Sequence, residues 1–257
     1  MCNGAVILHS TIRIATFNIH KGHTGLSSRF ALHEQRELLH RIQPDIVFLQ
    51  EVRDEHKKNR LNKSRSVDRQ SEFLAGVAWP SFAYGKNAVY PAGHHGNAIL
   101  SKFPISKIFN KDISSHAVEQ RGMLHCEIDI PGWDQPLHGI CVHLGLFSHW
   151  RLRQLQTVRD YIEENIPHNA KLIIAGDFND WGLHAGKSFA SSLHLREVFE
   201  QAEGKPARSF PSWMPVLRLD RIYVRGFNIR HVQVHGGPLF DNLSDHAILS
   251  ATIAKAW

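Results

Sequence analysis

The chain has 257 residues, 42% hydrophobic and 21% charged, a composition that excludes a disordered or fibrous protein. No apolar run reaches the roughly 18 residues that a membrane-spanning helix needs, and three cysteines, Cys2, Cys126 and Cys141, make neither a disulfide framework nor a zinc motif. The 30 Lys and Arg against 24 Asp and Glu leave a net charge of +6, which suits an anionic partner such as phosphate, nucleic acid or a lipid surface. Met1 to Ser10 carries neither a basic n-region nor a long apolar h-region, so no signal peptide and a reducing, cytoplasmic location are expected.

Ile12 to Asn18 alternates and is rich in β-formers, which predicts a strand broken by Ile19-His20-Lys21-Gly22. Ser28 to Gln43 has near-helical apolar spacing and is stopped by Pro44. Asp45 to Glu51 is a short apolar run ending in a carboxylate, the pattern of a buried strand. Arg53 to Arg69 is dense in charge and reads as a solvated loop, with a basic contact arm as the alternative. Asn97 to Ser101 predicts a strand. Gly122 to Ile130 and Leu137 to Leu144 predict a hairpin across a Pro- and Gly-rich link. His149 to Ile166 has amphipathic helical spacing, Lys171 to Ala175 is a strand feeding Gly176-Asp177-Phe178-Asn179, and Leu217 to Val224 and Ala247 to Ile253 are late strands. No repeat or linker divides the chain, so one domain over residues 1–257 is expected, with its core at about 12–253.

The chemistry is suggested by polar residues at strand ends. Asn18, Glu51, His143, the pair Asp177 and Asn179, Asp220, and Ser244-Asp245-His246 all fall at or beside the ends of apolar strands. A carboxylate beside a buried strand is costly unless it is paired or binds a metal, and strand ends are where a rigid sheet gathers a site. Four carboxylates, two amides and two histidines form a hard, oxygen-rich set. It suits Mg2+, with Mn2+ as the alternative, and not a closed zinc site. Such groups equip a protein for in-line attack on phosphorus.

Thr16-Phe17-Asn18-Ile19, Leu49-Gln50-Glu51, Gly96-Asn97-Ala98-Ile99-Leu100-Ser101, Gly176-Asp177-Phe178-Asn179, Leu219-Asp220-Arg221-Ile222 and Ser244-Asp245-His246 occur in that order. Together they resemble the endonuclease/exonuclease/phosphatase family, the DNase I-like superfamily, with details of a bacterial subgroup. The resemblance implies an α/β fold, a four-layer α/β/β/α sandwich of two mixed sheets flanked by helices. It implies Glu51 as the main Mg2+ ligand, assisted by Asn18, and Asp177 as the group that orients or deprotonates water. Asn179 would hold a phosphate oxygen or the nucleophile. His246 would act on the scissile phosphate, supported by Asp245 unless that residue joins the metal. His143 would contact the phosphate from the other side, with Asp220 close by. Arg121, Asn97 and His95 are candidates for phosphate contact. Trp213 and Phe210 would stack on a base or pack under the sheet.

The expected activity is therefore a Mg2+-dependent phosphodiesterase, monomeric, acting on DNA or RNA. A phospholipid or small phosphoester hydrolase with peripheral lipid contact is the alternative, and a non-catalytic phosphate-binding relative a third.

Overall fold

A computed structural model describes residues 9–25, 29–56, 69–91, 93–116, 118–182, 184–237 and 243–256. Most of the predicted basic arm, residues 57–68, and Cys2 lie outside the described residues.

Each strand predicted from alternation or from an apolar run is present. They are β1 (Thr11–Asn18), β2 (Ile46–His56), β4 (Gly93–Ser101), β6 (Gly122–Ile128), β7 (Leu137–His143), β8 (Leu172–Asp177), β10 (Asp220–Arg225) and β12 (Ile248–Lys255). Four further strands, β3 (Ser81–Tyr90), β5 (Ile105–Asp112), β9 (Arg196–Glu197) and β11 (Phe227–His235), complete two six-stranded sheets. One runs in the order β11-β12-β1-β2-β4-β3, the other β5-β6-β7-β8-β10-β9. Both are mixed: β1 is parallel to β2 and β7 to β8, and the other neighbours are antiparallel. The helices are α1 (Leu32–Ile42), α2 (Gln70–Ala75), α3 (Ser148–Asn165), α4 (His184–Ser192) and α5 (Val198–Glu203). The first of these begins at Leu32, not at Ser28 as its periodicity predicts, because Thr24 and Arg29 hydrogen-bond across the entry loop.

Three apolar clusters account for the layers. Ile12, Ile14, Phe48, Leu124, Cys126, Ile173, Val224 and Leu249 fill the space between the sheets. Phe17, Val47 and Leu49 pack outward onto Leu38 and Leu39 of α1 and onto Trp79. Ile140 and Ile174 pack outward onto Leu155, Val158 and Ile162 of α3. Strands buried on both faces cannot alternate with polar residues, which is why β2 and β8 read as continuous apolar runs. The two central parallel pairs end together. Asn18 stands opposite Gln50, and His143 stands opposite Asp177. A Cβ on Gly176 would lie 1.9 Å from the Val142 carbonyl oxygen, so only glycine permits the β7–β8 approach that sets this second register.

Two buried histidines on β6 and β7 have a consequence for stability. His125 Nε2 and His138 Nδ1 lie 3.0 Å apart, and His125 Nδ1 is 3.0 Å from Tyr161 Oη. Burial lowers both pKa values, that of His125 to about 4, and His138 beside it acts in the same direction. The unfolded chain therefore binds protons near pH 6.5 that the folded chain refuses. Stability is full above that pH and is lost as pH falls from about 6.5 toward 4, by about 3 kcal/mol for His125 alone. Urea unfolding at pH 7 and pH 4.5 should show this slope, and H125Q should flatten it. An unaltered slope in H125Q would remove His125 as a cause.

Candidate active site

Each polar residue at a strand end is held there by a specific local device. β2 carries an extra residue relative to β4 between Leu49 and Val52, a bulge with Glu51 at φ 57°. Such a bulge turns a side chain out of the ladder and toward a crevice. Gln50, beside it, is buried and donates to Phe48 O, to Thr16 Oγ1 and to Cys141 Sγ, linking the two sheets under the site. After β1 the chain makes a short 3-10 turn, His20–Gly22, with His20 and Lys21 both at positive φ. That turn brings Lys21 Nζ to 3.3 Å from Glu51 Oε2. After β8, Asn179 adopts φ 48°, and its backbone N–H donates to Asp177 Oδ1 at 3.0 Å. Non-glycine residues in this region are uncommon and cluster at functional sites.

Asp177 is the hub. Its Oδ2 accepts from Asn18 Nδ2 at 3.2 Å and lies 3.5 Å from His143 Nε2 and 3.7 Å from His246 Nε2. On the far side of the His246 ring, Nδ1 is 2.8 Å from Asp220 Oδ2. The result is a buried line of Asp220, His246 and Asp177 that crosses from β10 to β8 through the segment before β12. Burial opposes charge on His246, but the Asp220 and Asp177 carboxylates overrule it and raise its pKa to about 10. Burial raises the pKa of Asp177, and Asp220 adds to the rise, while His246 offsets part of it. Across the crevice, burial alone would raise the pKa of Glu51, but His143, Lys21 and His95 hold it down at about 2. Glu51 is thus fully ionised at neutral pH.

Several predicted roles change once the residues are placed. The carboxylate on His246 is Asp220 and not Asp245, because β10 runs beside the sheet end where the ring emerges. Asp245 instead turns toward His20, Oδ1 to Nδ1 3.8 Å, and accepts from Ser244 Oγ. Asn97 is 1% exposed and donates to Gly122 O and Cys141 O, so its NH2 ties β4 to β6 and β7 and is not available to a phosphate. Arg121 donates to Glu119 Oε1 at 3.1 Å and to Leu144 O at 3.2 Å, but its charge still reaches His143 and His95. His95 stands on the Glu51 side with its pKa lowered to about 4 by burial and by Lys21. His143 is deeply buried, and burial and Arg121 depress its pKa strongly. Asn179 gives one amide N–H to Leu144 O at 2.9 Å. Phe210 packs edge-on against His246, and Trp213 is half exposed on a loop whose Ser212 N–H donates to Asp245 O.

Sequence reasoning missed two contributors. Lys21 lies only three residues after Asn18, in a segment read merely as a strand break. Arg151 on α3 donates to Gly145 O and Leu146 O and lies 3.7 Å from Asp180, fixing the loops after β7 and β8. Its buried position in an otherwise ordinary helix left no local signal. A cavity of about 400 Å3 also opens beside the crevice, against Glu197, Arg221 and Tyr223, but none of the converging groups lines it.

Glu51 is ionised and half-buried, and a positive group, the Lys21 ammonium, already faces it. The ligand atoms of Asp177, Asp220 and His246 also lie within 4.8 Å of one another, and Asp220 Oδ1 is buried without a hydrogen-bond partner. Oxygen-rich groups of this kind fit a hard divalent ion.

Residues 15–246 match the Endonuclease/Exonuclease/phosphatase family. The chain belongs to that family. The family's enzymes act on phosphoesters. Over 244 residues, 95% of this chain and 96% of the relative, it is 43% identical to "Uncharacterized protein YbhP" of Escherichia coli K12. A more distant similarity, 26% over 194 residues, covers 66% of this chain and 57% of Sphingomyelinase C of Bacillus cereus. Among solved structures, the endonuclease/exonuclease/phosphatase of Beutenbergia cavernae superposes with a TM-score of 0.77 at 18% identity, covering 96% of this chain and 72% of that one. Endonuclease/exonuclease/phosphatase members thus share the two mixed sheets with flanking helices described above.

Proposed function

We propose that this chain is a Mg2+-dependent phosphodiesterase that cleaves nucleic acid by in-line attack of water on phosphorus. The observation that carries the reading is the buried line of Asp220, His246 and Asp177 facing an ionised Glu51. A raised His246 pKa keeps an imidazolium at neutral pH, placed to stabilise negative charge as it builds on phosphoryl oxygens. Asp220 orients the ring through Nδ1. Burial makes Asp177 a better base than a free carboxylate, suited to taking a proton from water. His143 and the second amide N–H of Asn179 complete the wall. Glu51 would hold the metal, assisted by Asn18, and Asp245 stands near that group through His20. A bound divalent ion supplies Lewis-acid polarisation of the phosphoryl group. Lys21 and Arg121 add positive charge around the same anion.

A specific feature favours phospholipid as the second reading. Leu146, Phe147, Trp181, Trp213 and Met214 are all about half exposed. They sit on loops after Leu144, after Asn179 and against Asp245, around the site. Exposed apolar residues gathered at a site mark an apolar ligand or interface. Nicking of supercoiled plasmid by purified protein with Mg2+, abolished by EDTA, is the expected result. No nicking, with release of phosphocholine from sphingomyelin vesicles, would assign the lipid reading instead.

A further inference from the structure

The outer face of the first sheet is covered unevenly. Around β1, β2 and β4 it carries Ala15, Phe17, Val47, Leu49 and Leu100 under α1 and Trp79. Around β11 and β12 it carries polar residues. Ile12, Val232, Ala251 and Ile253 point inward to the core between the sheets. Their neighbours Arg13, His231 and Thr252 therefore point out, and the register places these three in line across β1, β12 and β11. Gln233 stands opposite Ser250 in the same way.

These side chains and the C-terminal turn of α1, with Arg41, enclose a groove of about 290 Å3. Among the described residues it is lined by Arg13, Arg41, His231 and His235, and by no carboxylate. Arg13 Nη1 donates to the last helical carbonyl, Ile42 O, at 2.8 Å, which holds the guanidinium against the groove wall. His235 is buried, with Nε2 2.8 Å from Ser250 Oγ. Burial, with Arg13 and His231 acting in the same direction, pushes its pKa down to about 4. The groove is concave, and among the described residues Ile42 is its single apolar lining residue.

We infer that this groove is a second phosphate-binding site, separate from the catalytic crevice, that holds a backbone phosphate of a single-stranded nucleic acid. Arg13 and Arg41 present guanidinium forks to the phosphate oxygens, and Gln233 and Thr252 add neutral donors. The groove begins at His235, which pairs with Ile248 two residues after His246. It ends at Arg13, five residues before Asn18 on β1, about 16 Å along the strand. His235 therefore marks the end of the groove nearer the crevice. The inference rests on the nucleic-acid reading and extends it to a substrate longer than a dinucleotide.

The test uses the full chain and a fluorescein-labelled 12-nucleotide single-stranded DNA, with EDTA present so that no cleavage occurs. Anisotropy is followed from low to moderate salt. R41Q and Q233E both change exposed positions, and circular dichroism and melting check their fold. Each is expected to weaken binding by about three- to tenfold. R41Q should also reduce the slope of log affinity against log salt by about 0.7, one phosphate contact on a single strand. R13Q combined with R41Q should double that reduction. Wild-type affinity and slope in these variants, or no binding by the wild type at low salt, would overturn the inference. So would loss of anionic-vesicle binding in the variants without oligonucleotide binding, which would assign the groove to a lipid headgroup. Failure of the nuclease reading has a different signature. It is absence of Mg2+-dependent cleavage by a wild-type protein whose oligonucleotide binding still depends on Arg41.

Discussion

H246Q is expected to lower turnover by about 10^3- to 10^4-fold, the scale on which a positioned acid–base group or a charge-stabilising donor contributes. His246 Nδ1 is 2.8 Å from Asp220 Oδ2 and Nε2 is 3.7 Å from Asp177 Oδ2. The ring is therefore the one positive group between two buried carboxylates. Glutamine keeps much of the volume but neither the charge nor the two opposed nitrogens. The pH profile separates a chemical role from a structural one. With its pKa raised, His246 is protonated at neutral pH, so its loss of charge should lower wild-type activity as pH rises through the alkaline range, while an acid limb near pH 6 belongs to the base Asp177. D220N removes the charge and the acceptor that raise that pKa, so its alkaline limb should move to lower pH. A merely structural Asp220 would lower activity without moving the limb. H246Q with a wild-type melting temperature and turnover within tenfold of normal would eliminate the assignment.

E51Q should raise the Mg2+ concentration for half-maximal activity by at least about tenfold to a hundredfold, the range seen when groups supporting a metal are lost. The bulge at φ 57° places this carboxylate, and His143, Lys21 and His95 hold its pKa down at about 2, so its charge is present at any working pH. Glutamine retains one oxygen ligand and loses the charge. Lys21 makes the experiment two-sided, because its ammonium lies 3.3 Å from Glu51 Oε2 and competes with any cation there. K21Q should therefore bind Mg2+ more tightly than wild type in titration calorimetry without substrate, and E51Q more weakly. Equal metal affinity in wild type and E51Q would remove Glu51 from the metal site.

Much of this protein was legible in local pattern. Strands with both faces buried must be largely apolar, so β2, β7 and β8 stood out, β1 stood out by its alternation, and so did the polar residues at their ends, Asn18, Glu51, His143 and Asp177. Burial of a polar group has a cost wherever it occurs, and sequence alone can register that cost without knowing the partner. The edge strands β5 and β11 were not legible. β5 has the sequence ISKIFNKD and is largely exposed, and β11 contains a bulge at Ile229–His231. Edge strands are held by pairing and not by burial, so their residues carry little periodic signal.

Which groups meet was decided by the tertiary structure alone. Asp220 and His246 are 26 residues apart, and Asn18 and Asp177 are 159 apart. Neighbours in sequence mislead here, since Asp245 adjoins His246 yet turns toward His20. Asn97 sits in a motif strand yet ties the sheets together. Lys21 looks like a turn residue and stands against Glu51. Residue type and strand ends were readable from the chain because they follow from local covalent and solvation physics. The pairing of charges followed only from sheet order and register, which bring distant strand ends into one crevice.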